Sequence, residues 1–222
     1  MKCIICKGEV IQFSQSSYMG LPTYLCKNCQ LYVTGNSEFE IRQKSDLLYK
    51  EEYWTRLKSE ESLLSNFKNI DSQGKRRQWI SQYSYTKKYL ENKSNILEIG
   101  SGAGQTIYWF DQIGFSVTGI EPDARNVELI NKKLTKSKCQ AGFFEDINIE
   151  KKFDVIWMSH VFEHLVRPDL LLEKLQRGLN DDGVIFIEVP NCENQIIRDL
   201  SIDKNPSTYH RSEEHTSELQ SH

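Results

Sequence analysis

The sequence lacks the marks of a membrane, secreted or nucleic-acid-coating protein. No apolar run approaches the roughly 18 residues that a helix needs to cross a bilayer, which excludes a helical span. The opening MKCIICKGEV has one early lysine and then two cysteines, without the long apolar stretch of a secretory signal. Neither sign of charge dominates. The 28 Lys and Arg against 31 Asp and Glu leave a net charge of −3, so there is no basic surplus of the kind a whole nucleic-acid-binding domain carries. These absences point to a cytoplasmic protein with a small-molecule partner, and its 222 residues allow one α/β core plus a small appendage. Basic clusters at Lys75, Arg76, Arg77 and at Lys87, Lys88 read as solvated helix faces, and they keep RNA open as an alternative partner.

The last twelve residues, RSEEHTSELQSH (Arg211–His222), have no apolar period and do not continue the pattern before them. They resemble the in-frame translation of a short-read sequencing adapter; a disordered natural tail is the alternative. On the first reading 211–222 is artefactual, His215 and His222 are not site candidates, and the natural chain is interrupted near His210.

Four of the six cysteines are paired: Cys3 with Cys6 and Cys26 with Cys29, two residues inside each pair and nineteen between pairs. Two such knuckles can turn four thiolates toward one point about 2.3 Å from each sulfur, the geometry of a structural zinc site. Lys7, Gly8, Lys27 and Asn28 supply turn chemistry, while IQF and LYV read as short strands, so residues 1–35 form a ribbon-like zinc module. With little core to bury, such a module takes its folding free energy from the metal, roughly 10 to 16 kcal/mol in small zinc peptides. A disulfide or redox pair is the rival, disfavoured in a reducing compartment. Four thiolates leave no open coordination position for catalysis. Cys139 and Cys192 stand alone and read as small buried residues.

Residues 36–93 form a helical connector. Apolar residues recur there at spacings of three and four, among them Leu63, Leu64, Phe67, Trp79, Ile80 and Tyr83, and Ser72, Gln73 and Gly74 interrupt the run. Tyr49, Tyr53 and Trp54 read either as a stripe packed on the main domain or as a lid over a ligand.

From Asn95 the sequence NILEIGSGAG gives an apolar strand, a turn with glycines at 100, 102 and 104, and a helix from Gln105. A tight turn ahead of a helix start lets backbone N–H groups approach a ligand that a Cβ would block. The next strand, SVTGIE, ends at Glu121, placed to accept two ribose hydroxyls. The loop GSGAG departs from GxGxxG, which disfavours a dinucleotide.

LEIGSGAGQT, GIEPD, FDVIWMSHVFEHL and LNDDGVIFIEVPN, in this order, resemble the successive motifs of class I S-adenosylmethionine-dependent methyltransferases. That resemblance implies an α/β, Rossmann-like, doubly wound and mainly parallel sheet over 94–210, lacking its last strands. It places Glu98, Gly100, Gly102 and Gly104 around the methionine end and sugar of S-adenosylmethionine, Glu121 on the ribose, Pro122 and Asp123 beside the adenine, and Ser159 at the cofactor after strand four. Where the family often has an acid after the glycine that follows strand three, this chain has Gly142 and then Phe143. Phe143 and Phe144 either face the base, with Glu145 or Asp146 as the polar contact, or fill the interface between sheet and helix.

The cysteine module, YKEEYW, EHL and EVPN resemble bacterial methyltransferases of sugar nucleotides or cell-surface polysaccharide precursors. An RNA or protein methyltransferase that docks through the zinc module, and a noncatalytic binding protein, are the alternatives. For proton removal the candidates are His160, Glu163 and His164, which would share one face of a short helix at spacings of three and four. His160 is favoured as general base and His164 is second. The trio also resembles the ExxEH metal cluster of some methyltransferases, with His160 in place of the first acid, and a purely structural role in bracing the helix start is the third reading.

Overall fold

The alternation of apolar strands with helical segments builds two sheets in the computed structural model, which describes residues 1–15, 21–47 and 59–190. All of these but Pro190 belong to one compact unit, Met1–Val189. Tyr49, Tyr53, Trp54, Cys192 and the 211–222 tail lie outside the described residues.

The first sheet is antiparallel, with β1 (Val10–Ser14), β2 (Thr23–Cys26) and β3 (Tyr32–Thr34) in that order. Its outer strands contain the IQF and YV runs, but the central strand TYLC is not evident in the sequence. Among the described residues the helices that follow are α1 (Glu38–Leu47), α2 (Glu60–Lys68) and α3 (Gln73–Thr86). The break anticipated at 72–74 is the start of α3. Ser72 caps it by accepting from Lys75 N at 3.4 Å, with Gln73 and Gly74 already inside the first turn.

The second sheet holds β4 (Asn95–Ile99), β5 (Ser116–Glu121), β6 (Lys138–Ala141), β7 (Phe153–Ser159) and β8 (Leu179–Glu188). Its order is β6-β5-β4-β7-β8 and every neighbouring pair is parallel. Helices α4 (Gln105–Gln112), α5 (Ala124–Asn131) and α6 (Pro168–Arg177) supply crossover connections. Because helices cover both faces, strand residues are apolar on both sides rather than alternating with polar ones. Ile96, Val117, Val155 and Trp157 pack with Trp79 of α3, Ile107 and Phe110 of α4, and Ile130 of α5. Leu97, Ile99, Ile120, Ile156 and Met158 pack on the other face with Leu171 and Leu175 of α6. Trp157 stacks on Phe186 at 3.8 Å and meets Phe110 edge-on at 5.0 Å.

The LNDDG turn expected before strand five is absorbed into β8. Leu179 stands opposite Phe153 and Val184 opposite Val155, so five steps along β8 answer two along β7. The extra residues form a bulge around Gly183, where a Cβ would meet Leu179 Cγ at 2.5 Å.

The chain adds β5 and β6 on one side of β4, then returns to add β7 and β8 on the other. At this reversal the loops leaving β4 and β7 diverge, and the crevice they open at the strands' carboxyl ends is where open α/β sheets take ligands.

Candidate functional site

The loop leaving β4 is tied to the next strand by Gly100 N and Ser101 N, both donating to Ile120 O at 2.8 and 3.1 Å. Gly100, Gly102 and Gly104 have φ of 75°, 52° and 83°, in the left-handed region that favours glycine. Their surroundings differ. A Cβ at Gly100 would meet Val161 Cγ2 at 2.4 Å and one at Gly104 would meet Ile130 Cγ1 at 2.4 Å, whereas at Gly102 nothing lies within 4 Å. The sequence reading placed all three beside a ligand; at Gly100 and Gly104 protein fills the space a side chain would take, and Gly102 presents the open face.

Glu98 is buried on β4. Burial pushes its carboxyl up to about 8; the nearby Ser101 and Thr106 hydroxyls pull down, and the Glu121 charge pushes up again. Its Oε2 and Ser101 Oγ are both buried without a hydrogen-bond partner among the described residues. Glu121, also buried, accepts from Gly102 N at 2.8 Å through Oε2 and from Asp123 N at 3.0 Å through Oε1. Each of these carboxylate oxygens has two lone pairs, so accepting one N–H need not saturate it. Pro122 is half-buried between Glu121 and Asp123. Asp123 caps α5, accepting from Arg125 N at 3.0 Å and pairing with Arg125 Nη2 at 2.8 Å. Its carboxylate is thus engaged in holding the helix start.

Past β6, Gly142 is followed by two phenylalanines with opposite fates. Phe144 is 4% exposed, packed in the core with Lys174 Nζ 4.5 Å from its ring centre, while Phe143 is 45% exposed. The ring of Phe144 therefore serves the interface between sheet and helix, which corrects its placement among cofactor contacts, and only Phe143 offers an aromatic face to solvent. Glu145 and Asp146 are exposed beside it.

At the ends of β7 and β8 a polar cluster gathers. Gln82 of α3 donates through Nε2 to Ser159 Oγ at 3.1 Å and to Glu188 Oε2 at 2.6 Å, and Ser159 Oγ donates to the same carboxylate oxygen. His160 follows with φ 56°, outside any helix; the helical turn covers only Phe162–His164. The shared helix face expected from the spacing is therefore not formed. The loop still brings the trio together, with Glu163 Oε1 3.6 Å from His160 Nδ1 and 3.8 Å from His164 Nε2. Glu188 Oε2 lies 3.9 Å from His160 Nε2. Glu188 and Gln82 were missed in the sequence. Alternation from Val184 and Phe186 carries Glu188 to the face that α3 covers, which is the signal that could have found it.

The four paired cysteines converge, with their Sγ atoms all within 4.8 Å of one another, Cys3 to Cys29 at 3.6 Å and Cys6 to Cys26 at 3.4 Å. A tetrahedral zinc thiolate site spaces its sulfurs about 3.8 Å apart, and these separations are far beyond the roughly 2.05 Å of a disulfide. Both knuckles turn alike: Lys7 N donates to Cys3 O at 3.0 Å and Gln30 N to Cys26 O at 3.1 Å, with Lys7 and Gln30 each at φ 60°. Among the described residues this is the one group of three or more His, Cys, Asp or Glu that could hold a metal ion, and the His160, Glu163, His164 cluster does not qualify.

A parallel sheet with a glycine loop and an acid-tipped second strand at its point of reversal is the layout of a nucleotide-cofactor-binding α/β fold. The chain matches the family described as methyltransferase domain over residues 71–221, and it belongs to that family. The match takes in α3, which the sequence reading assigned to the connector. An uncharacterized methyltransferase of Alkaliphilus oremlandii is 37% identical over 41% of this chain and 43% of its own length. A ubiquinone biosynthesis O-methyltransferase of Pelagibacter ubique is 29% identical over 43% of this chain and 42% of its own. The chain thus matches less than half the length of these curated relatives. Among solved structures, the plantazolicin methyltransferase BpumL in complex with a pentazolic desmethylPZN analog and SAH shares the fold, with a TM-score of 0.54 at 21% identity over 77% of this chain and 68% of that one.

Proposed function

We propose that this chain is the cofactor-binding part of an S-adenosylmethionine-dependent methyltransferase whose acceptor is a small molecule, a sugar nucleotide or cell-surface polysaccharide precursor in a bacterial cytoplasm, and that its cysteines hold a structural zinc. The observation that carries the reading is the pair of buried oxygens, Glu98 Oε2 on β4 and Ser101 Oγ in the loop that leaves it, which have no hydrogen-bond partner among the described residues. Buried polar atoms without partners are rare in folded proteins. An ammonium group and the hydroxyls of a sugar are the donors such a site lacks, and S-adenosylmethionine carries both.

Glu98, Ser101, Gly102 and Glu121 would hold that cofactor, with Phe143 beside its base. Once bound, it supplies an activated methyl group on a sulfonium. What remains for the protein is alignment of the acceptor and removal of its proton. His160 is the base in this reading, with Glu163 Oε1 toward its Nδ1, and His164 is the runner-up. The acceptor class rests on the resemblance carried by the cysteine module and the EHL and EVPN motifs; the methyltransferase relatives support the reaction type.

Titration calorimetry with S-adenosylhomocysteine tests the cofactor assignment. Binding is expected for the intact chain, and Glu121→Ala should weaken it by roughly 1.5 to 3 kcal/mol, the worth of a charge-assisted bond. No binding by the intact chain, or unchanged affinity in the variant, overturns it.

A further inference from the structure

We propose that Glu188 is a positioning residue for His160, and that Gln82 of α3 sets Glu188. The inference rests on the reading of His160 as the base and adds two residues that no local motif connects to it.

The geometry is a chain of contacts across three elements. Gln82 Nε2 stands 2.6 Å from Glu188 Oε2 and 3.1 Å from Ser159 Oγ, and Ser159 Oγ donates to the same carboxylate oxygen. Two donors on one oxygen fix the carboxylate in place. The amide cannot be turned over, because Oε1 would then face the carboxylate; as it stands Gln82 Oε1 is buried with no partner among the described residues. The fixed carboxylate faces His160 Nε2 at 3.9 Å, while Glu163 faces Nδ1 at 3.6 Å from within the same loop. His160 N also donates to Glu188 O at 2.9 Å, so the backbone that carries the ring is anchored to the residue that faces it.

This arrangement accounts for an expensive backbone. A histidine at φ 56° is strained, and such strain persists where the surroundings over-determine it. Turning His160 left-handed directs its ring between the two carboxylates, one on each side. At 3.9 Å Glu188 is beyond hydrogen-bond distance of Nε2, so it acts on the ring through its charge. When the acceptor's proton arrives, the imidazolium forms beside a carboxylate already in position, and an opposite charge within about 4 to 6 Å favours the charged form. Two carboxylates among the described residues face the ring, Glu163 from its own loop and Glu188 from β8, and His164 lies against the same Glu163 oxygen.

Histidine signals followed by NMR across a pH series in the intact chain test this without cofactor or acceptor. His160 is assigned by its loss in His160→Ala. In Glu188→Gln the His160 midpoint is expected to fall by about 0.5 pH unit or more, while the His164 midpoint, which Glu163 faces, moves less. Gln82→Ala keeps the carboxylate but frees it, and should move the His160 midpoint the same way by a smaller amount. If Glu188→Gln does not fold, the Gln82→Ala shift decides. A His160 midpoint unchanged in the folded variants overturns the proposal and leaves the methyltransferase reading standing; loss of S-adenosylhomocysteine binding by the intact chain overturns that reading independently.

Discussion

The two sheets of this chain stay folded by different means. In the antiparallel ribbon the buried hydrophobic residues among those described are Cys3, Leu21, Cys26 and Val33, while Ile5, Ile11 and Phe13 remain more than 40% exposed. Burying so few apolar groups at about 25 cal/mol per Å² cannot offset the entropy of ordering thirty-odd residues. In the parallel sheet Ile96, Phe110, Val155, Ile156, Trp157 and Leu175 are fully buried between helices on both faces. The difference is the one expected if the proposed zinc ligand set stands in for a core. A Cβ at Gly8 would meet Asn28 Cβ at 2.9 Å, with Cys6 Sγ at 3.2 Å and Cys26 Sγ at 3.4 Å just behind it, so the two knuckles close on each other there.

The sharpest way to break that comparison is to remove the metal from one half. Cys26→Ser, or a chelator, should release one zinc per chain and unfold residues 1–35, withdrawing binding energy of roughly 10 to 16 kcal/mol. The cooperative melting of the parallel sheet should persist. Elemental analysis with near-ultraviolet circular dichroism reads both halves. Zinc near zero in the intact chain, or a core that melts together with the ribbon on chelation, would sink the distinction.

The parallel core and its crevice were legible because each signal was local. The β4 and β7 runs are mostly apolar, the glycine loop announces positive φ, and Glu121 ends a strand. What failed was non-local or too short. TYLC is four residues with no visible alternation. Phe143 and Phe144 are indistinguishable in sequence, and only the packing of α6 decides that Phe144 goes inward. Gln82 and Glu188 meet across 106 positions, a pairing no window can contain. His160 sits at helical spacing from Glu163, yet the turn that relates them is left-handed at His160, and spacing alone does not carry handedness.

Acid should separate the two halves more gently than a chelator. Asp111, although desolvation opposes its charge, is held down to about 2 by the Thr135 hydroxyl and the N–H groups of Thr135, Lys136 and Ser137. Asp154 is likewise held at about 2 against desolvation, by Ser94 N, Asn95 N and Asn180 Nδ2. Both folded values lie below the ordinary 3.8. Their stabilisation is therefore fully present above about pH 4 and lost as pH falls through about 2, of the order of 1 to 2 kcal/mol each after screening. Zinc thiolates must protonate to let the metal go, which should occur about one pH unit or more higher. Tryptophan fluorescence of the core, with Trp79 and Trp157 buried, should change only after zinc release. Simultaneous loss would show that the ribbon shares the stability of the core.

The smallest effect distinguishes two glycines of one loop. At Gly104 an alanine would combine φ 83° with a contact of 2.4 Å to Ile130 Cγ1, so Gly104→Ala forces α5 or the loop to move. At Gly102 the alanine methyl meets nothing within 4 Å, and the cost is the left-handed backbone alone, about 1 kcal/mol. A chain of this size should then melt about 2 to 4 °C lower, and Gly104→Ala should fall further. Cofactor affinity is expected to sharpen the contrast. In Gly102→Ala the methyl enters the open side of the loop whose backbone N–H is bonded to Glu121, so, if the proposed ligand uses that side, S-adenosylhomocysteine binding should weaken by more than the stability change accounts for. Gly104→Ala, where it folds, should lose stability first and affinity only in proportion. If Gly102→Ala binds S-adenosylhomocysteine as the intact chain does, the open face of the loop is not the ligand face, and the orphaned oxygens of Glu98 and Ser101 need another partner.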